Sequence, residues 1–333
     1  MIITRTPFRV PLGGGGTDLP GFYKKHGGFI FSATIDKYMY LTLNRPVLDS
    51  LIRIKYSDSE TVASVNEIKH ELAREALRIT GVLDSVEVTS FADLPSGTGM
   101  GSSSSYLIGL LKALHVMQRT EMSAEALAEE ACHIEMEILK SPVGKQDQYL
   151  AAFGGFVEMH IGKDGKVEVK RPKISLDTTE ELRFKVGIFF TNKFHKTSEI
   201  LSGQNREAAV AESQVEKALL RIKEIGLQIK SEMEKGDLSN FGKLLDEHWK
   251  VKKTMSNKIS DPELDKIYEL AKQHGAEGGK IMGSGGGGLF FFFCPEGKKK
   301  IKNVLEQQGL REMPYDFESE GSKVLLNIYQ QPL

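Results

Sequence analysis

The stretch Pro95-Ser96-Gly97-Thr98-Gly99-Met100-Gly101-Ser102-Ser103-Ser104-Ser105 carries the pattern with the most chemical content. It follows a strand-like run at 86–91 and precedes a strongly periodic segment that predicts a helix over 103–118. Glycines let backbone N–H groups approach a ligand closely, and a helix N-terminus adds unpaired donors and a positive dipole end. The serines add hydroxyls suited to phosphate oxygens or a metal ion. Together these make a phosphate cradle. Two other glycine loops do not fit: a Walker loop ends in Gly-Lys-Ser/Thr, and this stretch holds no lysine. A dinucleotide fingerprint needs GxGxxG, and Ser102 stands where the third glycine after Gly97 and Gly99 belongs. Taken alone, the stretch also reads as a flexible loop capping a core helix.

Two further glycine windows accompany it. The 33 glycines of the 333 residues are about 10% against a usual ~7%, and 14 of them fall at 13–16, 97–101 and 278–288. Gly283, Gly285 and Gly288 match GxGxxG literally, yet Leu289-Phe290-Phe291-Phe292-Phe293 follows, which reads as a buried strand rather than a helix. Such a window lets two backbones pack closely or lets a loop cover a ligand. The first window, Arg9-Val10-Pro11-Leu12-Gly13-Gly14-Gly15-Gly16-Thr17-Asp18-Leu19-Pro20, sets a cation and a carboxylate on either side of a glycine loop. By itself it is an ordinary turn with an ion pair.

In this order the windows resemble the three motifs of the GHMP kinase superfamily, the group of galactokinase, homoserine kinase, mevalonate kinase and phosphomevalonate kinase. PFRVPLGGGGTDLP is similar to motif 1, LPSGTGMGSSSS to the ATP-binding motif 2, and KIMGSGGGG to motif 3. Within the superfamily, GGGGTDLP, GKQDQYLAAFGG and the chain length resemble the sugar 1-kinases of the heptose 7-phosphate type; fucokinase-type enzymes share parts of the pattern. The resemblance implies ATP and Mg²⁺ as cofactors and transfer of the γ-phosphoryl group to the anomeric hydroxyl of D-glycero-D-manno-heptose 7-phosphate. It also implies a two-domain α+β fold, ribosomal-S5-domain-2-like at the N-terminus and ferredoxin-like at the C-terminus. Another sugar 1-kinase and a non-catalytic sugar-binding relative are the alternatives, the second disfavoured by the retained site residues.

The resemblance assigns roles residue by residue. Pro95, Ser96, Gly97, Thr98, Gly99, Met100, Gly101, Ser102, Ser103 and Ser104 bind ATP. Asp147, in Gly144-Lys145-Gln146-Asp147-Gln148, matches the aspartate assigned as base in galactokinase-like members, with Arg9 beside it. With a guanidinium there, orienting the hydroxyl matters more than removing its proton. Glu135, twelve residues before Asp147, and Ser103 match the Mg²⁺ contacts; a sparse oxygen set suits an ion that dehydrates reluctantly. Glu137 points about 200° away on a helix, and Ala131, Ile134 and Ile138 trace the buried stripe with Glu135 at its margin. Asp18, Thr17, Gly14 and Gly15 face the sugar, with Gly285 and Gly286 on the substrate side of motif 3. GGGGTD stands where galactokinases have GEHTD, which widens the pocket and disfavours galactose. Lys193, His195 and Lys196 are candidates for the substrate's own phosphate.

These residues need a scaffold. The pattern predicts a β-rich start over 1–60, a helix over 66–80 stopped by Gly81, and a helix over 123–140 opened by Ser123. A hairpin is expected around Gly162-Lys163-Asp164-Gly165. A turn-like acidic stretch at 177–181 before a strand at 184–191 puts a boundary near 180, giving domains 1–180 and 181–333. Helices over 205–235 and 237–254 read as solvated faces, followed by a helix over 262–274, the phenylalanine strand, a helix near 296–308 and a strand over 323–329. Phe290–Phe293 and Trp249 are expected in the core. The 44 basic against 45 acidic residues give a net charge of −1, which argues against nucleic acid or an acidic membrane as partner. The longest apolar run falls far short of the ~18 residues of a membrane helix. The N-terminus lacks the apolar stretch of a signal peptide. Cys132 and Cys294 cannot make a disulfide framework, so a cytoplasmic location is expected. The oligomeric state is left open, a homodimer included.

Overall fold

The computed structural model describes residues 1–194 and 197–330. Two long strands, β1 (Ile2–Gly13) and β2 (Gly28–Asn44), are joined through helix α1 (Pro20–His26). Strands β3 (Ile52–Lys55) and β4 (Ser59–Val62), helix α2 (Glu71–Ile79) and strand β5 (Val86–Ala92) follow. Helix α2 begins later than its pattern predicts because a 3₁₀ turn, Val65–Glu67, occupies the first part of the segment and His70 supplies the cap. Next come α3 (Ser102–Met117), α4 (Ala124–Cys132), α5 (Gln146–Phe153) and the expected hairpin of β6 (Val157–Ile161) and β7 (Val167–Lys170).

The second half opens with α6 (Leu176–Lys185), where a turn was expected. Ser175 starts it by accepting from Thr178 N, which makes the acidic stretch the first turns of a helix. Then follow β8 (Val186–Phe190), α7 (Thr197–Ala208), α8 (Gln214–Glu234), α9 (Phe241–Lys253), α10 (Pro262–Gln273), β9 (Gly278–Ile281) and β10 (Leu289–Phe293). The expected helix 205–235 is thus two, since Ser213 caps a new start. The chain finishes with α11 (Lys299–Gln307), β11 (Arg311–Glu312), β12 (Phe317–Glu318) and β13 (Lys323–Asn327).

Among the described residues the strands form two sheets. The larger runs β13-β1-β2-β5-β3-β4, with β12 and β6 also on β2 and β7 on β6; the smaller is β11-β8-β10-β9. The boundary expected near 180 falls inside α6. Strands β12 and β13 return to the larger sheet, so the C-terminal segment closes the N-terminal half. Among the described residues, no helix is long and apolar enough to cross a membrane. Both cysteines are buried and free.

Helix α3 lies across β1 and β2. Leu107, Ile108, Leu110, Leu111 and Leu114 are fully buried, each contributing about 1.5–3 kcal/mol of burial. Gly109 costs helix propensity, but a β-carbon there would sit 2.7 Å from Leu41 and 2.8 Å from Thr6, so the glycine sets how closely the helix seats. Ser105 donates to Pro7 O at 3.1 Å and fixes the helix start over β1. Phe290, Phe291, Phe292 and Trp249 are in the core, as expected.

The segment 123–140 is not one regular helix. After α4 it widens into a π-helix, His133–Ile138, in which Leu139 N donates to Ile134 O at 2.9 Å. The i→i+5 turn shifts the helical phase. Ile138, expected in the buried stripe, is 41% exposed, while Ile134 and Glu135 are both buried.

Candidate active site

A cleft of about 370 Å³ is lined from one side by Arg9, Gly15, Asp18, the N-terminus of α3, Glu135 and Asp147, and from the other by α7, α9 and the glycine loop after β9. Gly101, the residue that precedes α3, has a left-handed φ of 78°, and its lack of a side chain leaves the helix without a side-chain cap. The first N–H groups of α3 therefore have no side-chain cap, and the residues that carry them, Ser102, Ser103 and Ser104, line the cleft. Gly97, Gly99, Met100, Gly101, Ser102, Ser103 and Ser104 line it. Pro95, Ser96 and Thr98 do not: the first two are exposed, and buried Thr98 donates to Pro95 O at 3.1 Å, which shapes the loop.

Asp147 sits in the first turn of α5, at the positive end of the helix. Arg9, in the middle of β1, grips its carboxylate with two parallel bonds, Nε to Oδ1 at 2.7 Å and Nη2 to Oδ2 at 2.9 Å. The remaining Arg9 nitrogen, Nη1, donates to Gly99 O at 2.6 Å. One guanidinium thus ties the carboxylate to the cradle, a bidentate geometry that lysine would not reproduce. A carboxylate accepts about four hydrogen bonds, so the cleft side of Asp147 keeps acceptor capacity for a ligand hydroxyl.

Glu135 is 3% exposed and is met by neutral donors: Ser104 Oγ at 2.9 Å, Gln148 Nε2 at 2.5 Å and Ser103 Oγ at 3.4 Å. Burial pushes its carboxyl up to about 7. Among the described residues no cation pairs with it. An uncompensated buried carboxylate beside two serine hydroxyls and a helix N-terminus is an oxygen donor set that fits Mg²⁺. Exposed Glu137 pairs instead with Lys140 on the surface.

At the loop after β1, Gly15 is open and Asp18 lines the cleft. Asp18 Oδ2 accepts from Gln146 N at 2.9 Å, and burial raises its carboxyl above the usual range. Thr17 and Gly14 do not line the cleft. Thr17 Oγ1 accepts from Phe29 N and has Gly14 O and Phe29 O as alternative acceptors for its one hydrogen, and a β-carbon on Gly14 would strike Phe29 O. Gly285 and Gly286 pack on Ile259 and do not line the cleft. Gly283 does, and its backbone abuts Gly99: a β-carbon on Gly283 would lie 2.8 Å from Gly99 Cα. The third glycine window therefore seals the second.

Lys193 does not line the cleft either. It is held by Asp261 at 2.8 Å and Glu263 at 2.7 Å, so its charge is already matched. His195 and Lys196 lie outside the described residues. The cleft instead receives His248 and Lys252 from α9, which the sequence predicted as a solvated helix, and Lys280 from β9, the first residue of the stretch similar to motif 3, to which no role was given. The only available sign was that His248 and Lys252 are four apart, on one helical face with core residue Trp249 beside them.

The model of the GHMP kinases N terminal domain matches residues 63–155, and that of the GHMP kinases C terminal matches 229–310. The D-glycero-alpha-D-manno-heptose 7-phosphate kinase of Campylobacter jejuni is 30% identical over 97% of this chain and 98% of its own length. The crystal structure of a D-glycero-D-manno-heptose 1-phosphate kinase from Bacteriodes thetaiotaomicron superposes with a TM-score of 0.81 at 26% identity, covering 98% of this chain and 99% of that one. That of a putative sugar kinase from Campylobacter jejuni gives 0.76 at 28% identity, covering 97% of each.

Proposed function

The chain belongs to the GHMP kinases, and from that premise we propose that it transfers the γ-phosphoryl group of ATP to the anomeric hydroxyl of D-glycero-D-manno-heptose 7-phosphate, giving the 1,7-bisphosphate. It is a phosphotransferase acting on a sugar hydroxyl. The observation that carries the reading is the abutment of Asp147 on the N-terminus of α3, which sets a hydroxyl acceptor against a phosphate cradle.

The N–H groups of Ser102, Ser103 and Ser104 and the positive end of α3 hold the donor's phosphates. The sugar hydroxyl donates to Asp147, which aims the oxygen lone pair at the γ-phosphorus. The new P–O bond forms as the bond to the bridging oxygen of ADP breaks, and Asp147 is the group placed to take the proton. Arg9 keeps the carboxylate in register with Gly99 and offsets charge that builds up during transfer. Ser103 and Glu135 would hold Mg²⁺, which when bound neutralises phosphate charge. Asp18, anchored by Gln146 N, is placed to accept from other sugar hydroxyls.

The names of two similar proteins differ in one respect: one has a heptose 7-phosphate and the other a heptose 1-phosphate. An acceptor already phosphorylated at C1 has no free anomeric hydroxyl, so the two names imply different products. Coupled ADP-release assays on the 7-phosphate, the 1-phosphate, the unphosphorylated heptose, fucose and galactose separate them. The proposal expects the 7-phosphate to be turned over with the highest kcat/KM; a preference for the 1-phosphate or for fucose overturns it.

A further inference from the structure

We propose that Lys252, with Lys280 and His248 beside it, is the receptor for the phosphate group that the acceptor sugar already carries. The inference rests on the reading above, that the acceptor is a sugar phosphate. Lys252 is 8% exposed, Lys280 1% and His248 2%, and all three line the cleft. Among the described residues neither ammonium has a carboxylate partner. Lys252 Nζ donates only to Gly283 O at 2.6 Å and Ile281 O at 3.2 Å, and Lys280 Nζ donates to Leu12 O at 2.9 Å. Both ring nitrogens of His248 are buried without a partner, as is Gln204 Nε2 on the facing helix α7.

Buried cations without counter-charge are costly, and ion pairing is the usual remedy. Here the remedy is missing, and the cations stand close enough to oppose one another: burial, then Lys252 and Arg9, hold the Lys280 ammonium well below its usual range. A phosphate dianion supplies the absent charge and accepts from both ammonium groups and from the imidazole. The donor's phosphates have their own N–H site at the start of α3, which Lys252 adjoins through Gly283, the neighbour of Gly99. Lys280 by contrast reaches Leu12, the residue that leads into the sugar-side loop Gly13–Gly16. The exposed-loop candidate Lys193 is already neutralised by Asp261 and Glu263.

The test compares kcat/KM for D-glycero-D-manno-heptose 7-phosphate with that for the unphosphorylated heptose, in the full chain and in Lys252→Met and Lys252→Arg. The ratio falls about 10–100-fold in Lys252→Met, the loss of one buried charge-assisted hydrogen bond, and recovers in part in Lys252→Arg. An unchanged ratio, or a rise in KM for ATP that parallels the loss, overturns the inference. Independent of any variant, inorganic phosphate at saturating ATP inhibits the unaltered protein competitively against the acceptor; inhibition that is not competitive with the acceptor overturns it. If the protein prefers a different sugar phosphate, the heptose assignment fails while the ratio measured for that sugar still decides the receptor. If only unphosphorylated sugars are accepted, the receptor is wrong.

Discussion

A β-carbon built on Gly101 would lie 3.0 Å from the carboxylate of Asp147. The residue before α3 and Asp147 are therefore neighbours, and in the proposed reaction this brings the donor phosphate and the acceptor hydroxyl to one point. Gly101→Ala adds strain at a left-handed φ of 78°, about 1–2 kcal/mol, and pushes Asp147 away. The expected result is a kcat reduced about 10–100-fold with a melting temperature lowered by only a few degrees, read by steady-state kinetics and calorimetry.

Asp147→Asn keeps the size of the side chain but presents an NH₂ group to Arg9 and loses a hydroxyl acceptor. Turnover is expected to drop by about 10²–10⁴, while ATP binding measured by calorimetry stays within a few-fold. An unchanged rate removes Asp147 from the reaction.

Glu135→Gln retains the bonds from Ser104 and Gln148 in shape and deletes a buried carboxylate that, among the described residues, no cation offsets. Thermal stability in metal-free buffer is expected to rise, and the Mg²⁺ concentration for half-maximal activity to increase at least about tenfold. A Mg²⁺ titration superimposable on that of the unaltered protein contradicts the assignment.

Burial, aided by repulsion from Arg9, pushes Lys252 down to about 7; Lys280 and His248 also face it from β9 and from its own helix. The ammonium is present below that value and lost above it. For the phosphorylated acceptor, kcat/KM therefore falls on the alkaline side with a midpoint near pH 7, since this parameter reports the free enzyme. In Lys252→Arg the guanidinium stays charged, and the alkaline limb moves out of the neutral range.

The glycine windows were visible in the sequence as short local motifs, and their resemblance to a family picked out Arg9 and Asp147, which the structure pairs at the cleft. The strand after Gly288 was legible as a short local pattern too. The receptor lysines were not. Lys252 stands on an amphipathic helix whose charged residues mostly do face water, and only the packing of α9 against β9 turns this one inward. The resemblance singled out Glu135, which the structure buries at the cleft, yet the neighbouring stripe was misread, because a 3.6-residue period fails across the π-turn that exposes Ile138. Lys193 misled for the opposite reason: its partners Asp261 and Glu263 are far away in sequence and adjacent in space.

The most direct test of the central claim is ³¹P NMR of the product formed from ATP and D-glycero-D-manno-heptose 7-phosphate. The account predicts a second phosphomonoester resonance coupled to the anomeric proton, with the original 7-phosphate signal retained. A new phosphate coupled to any other ring proton, or ATP consumed with no phosphate on the sugar, would contradict it.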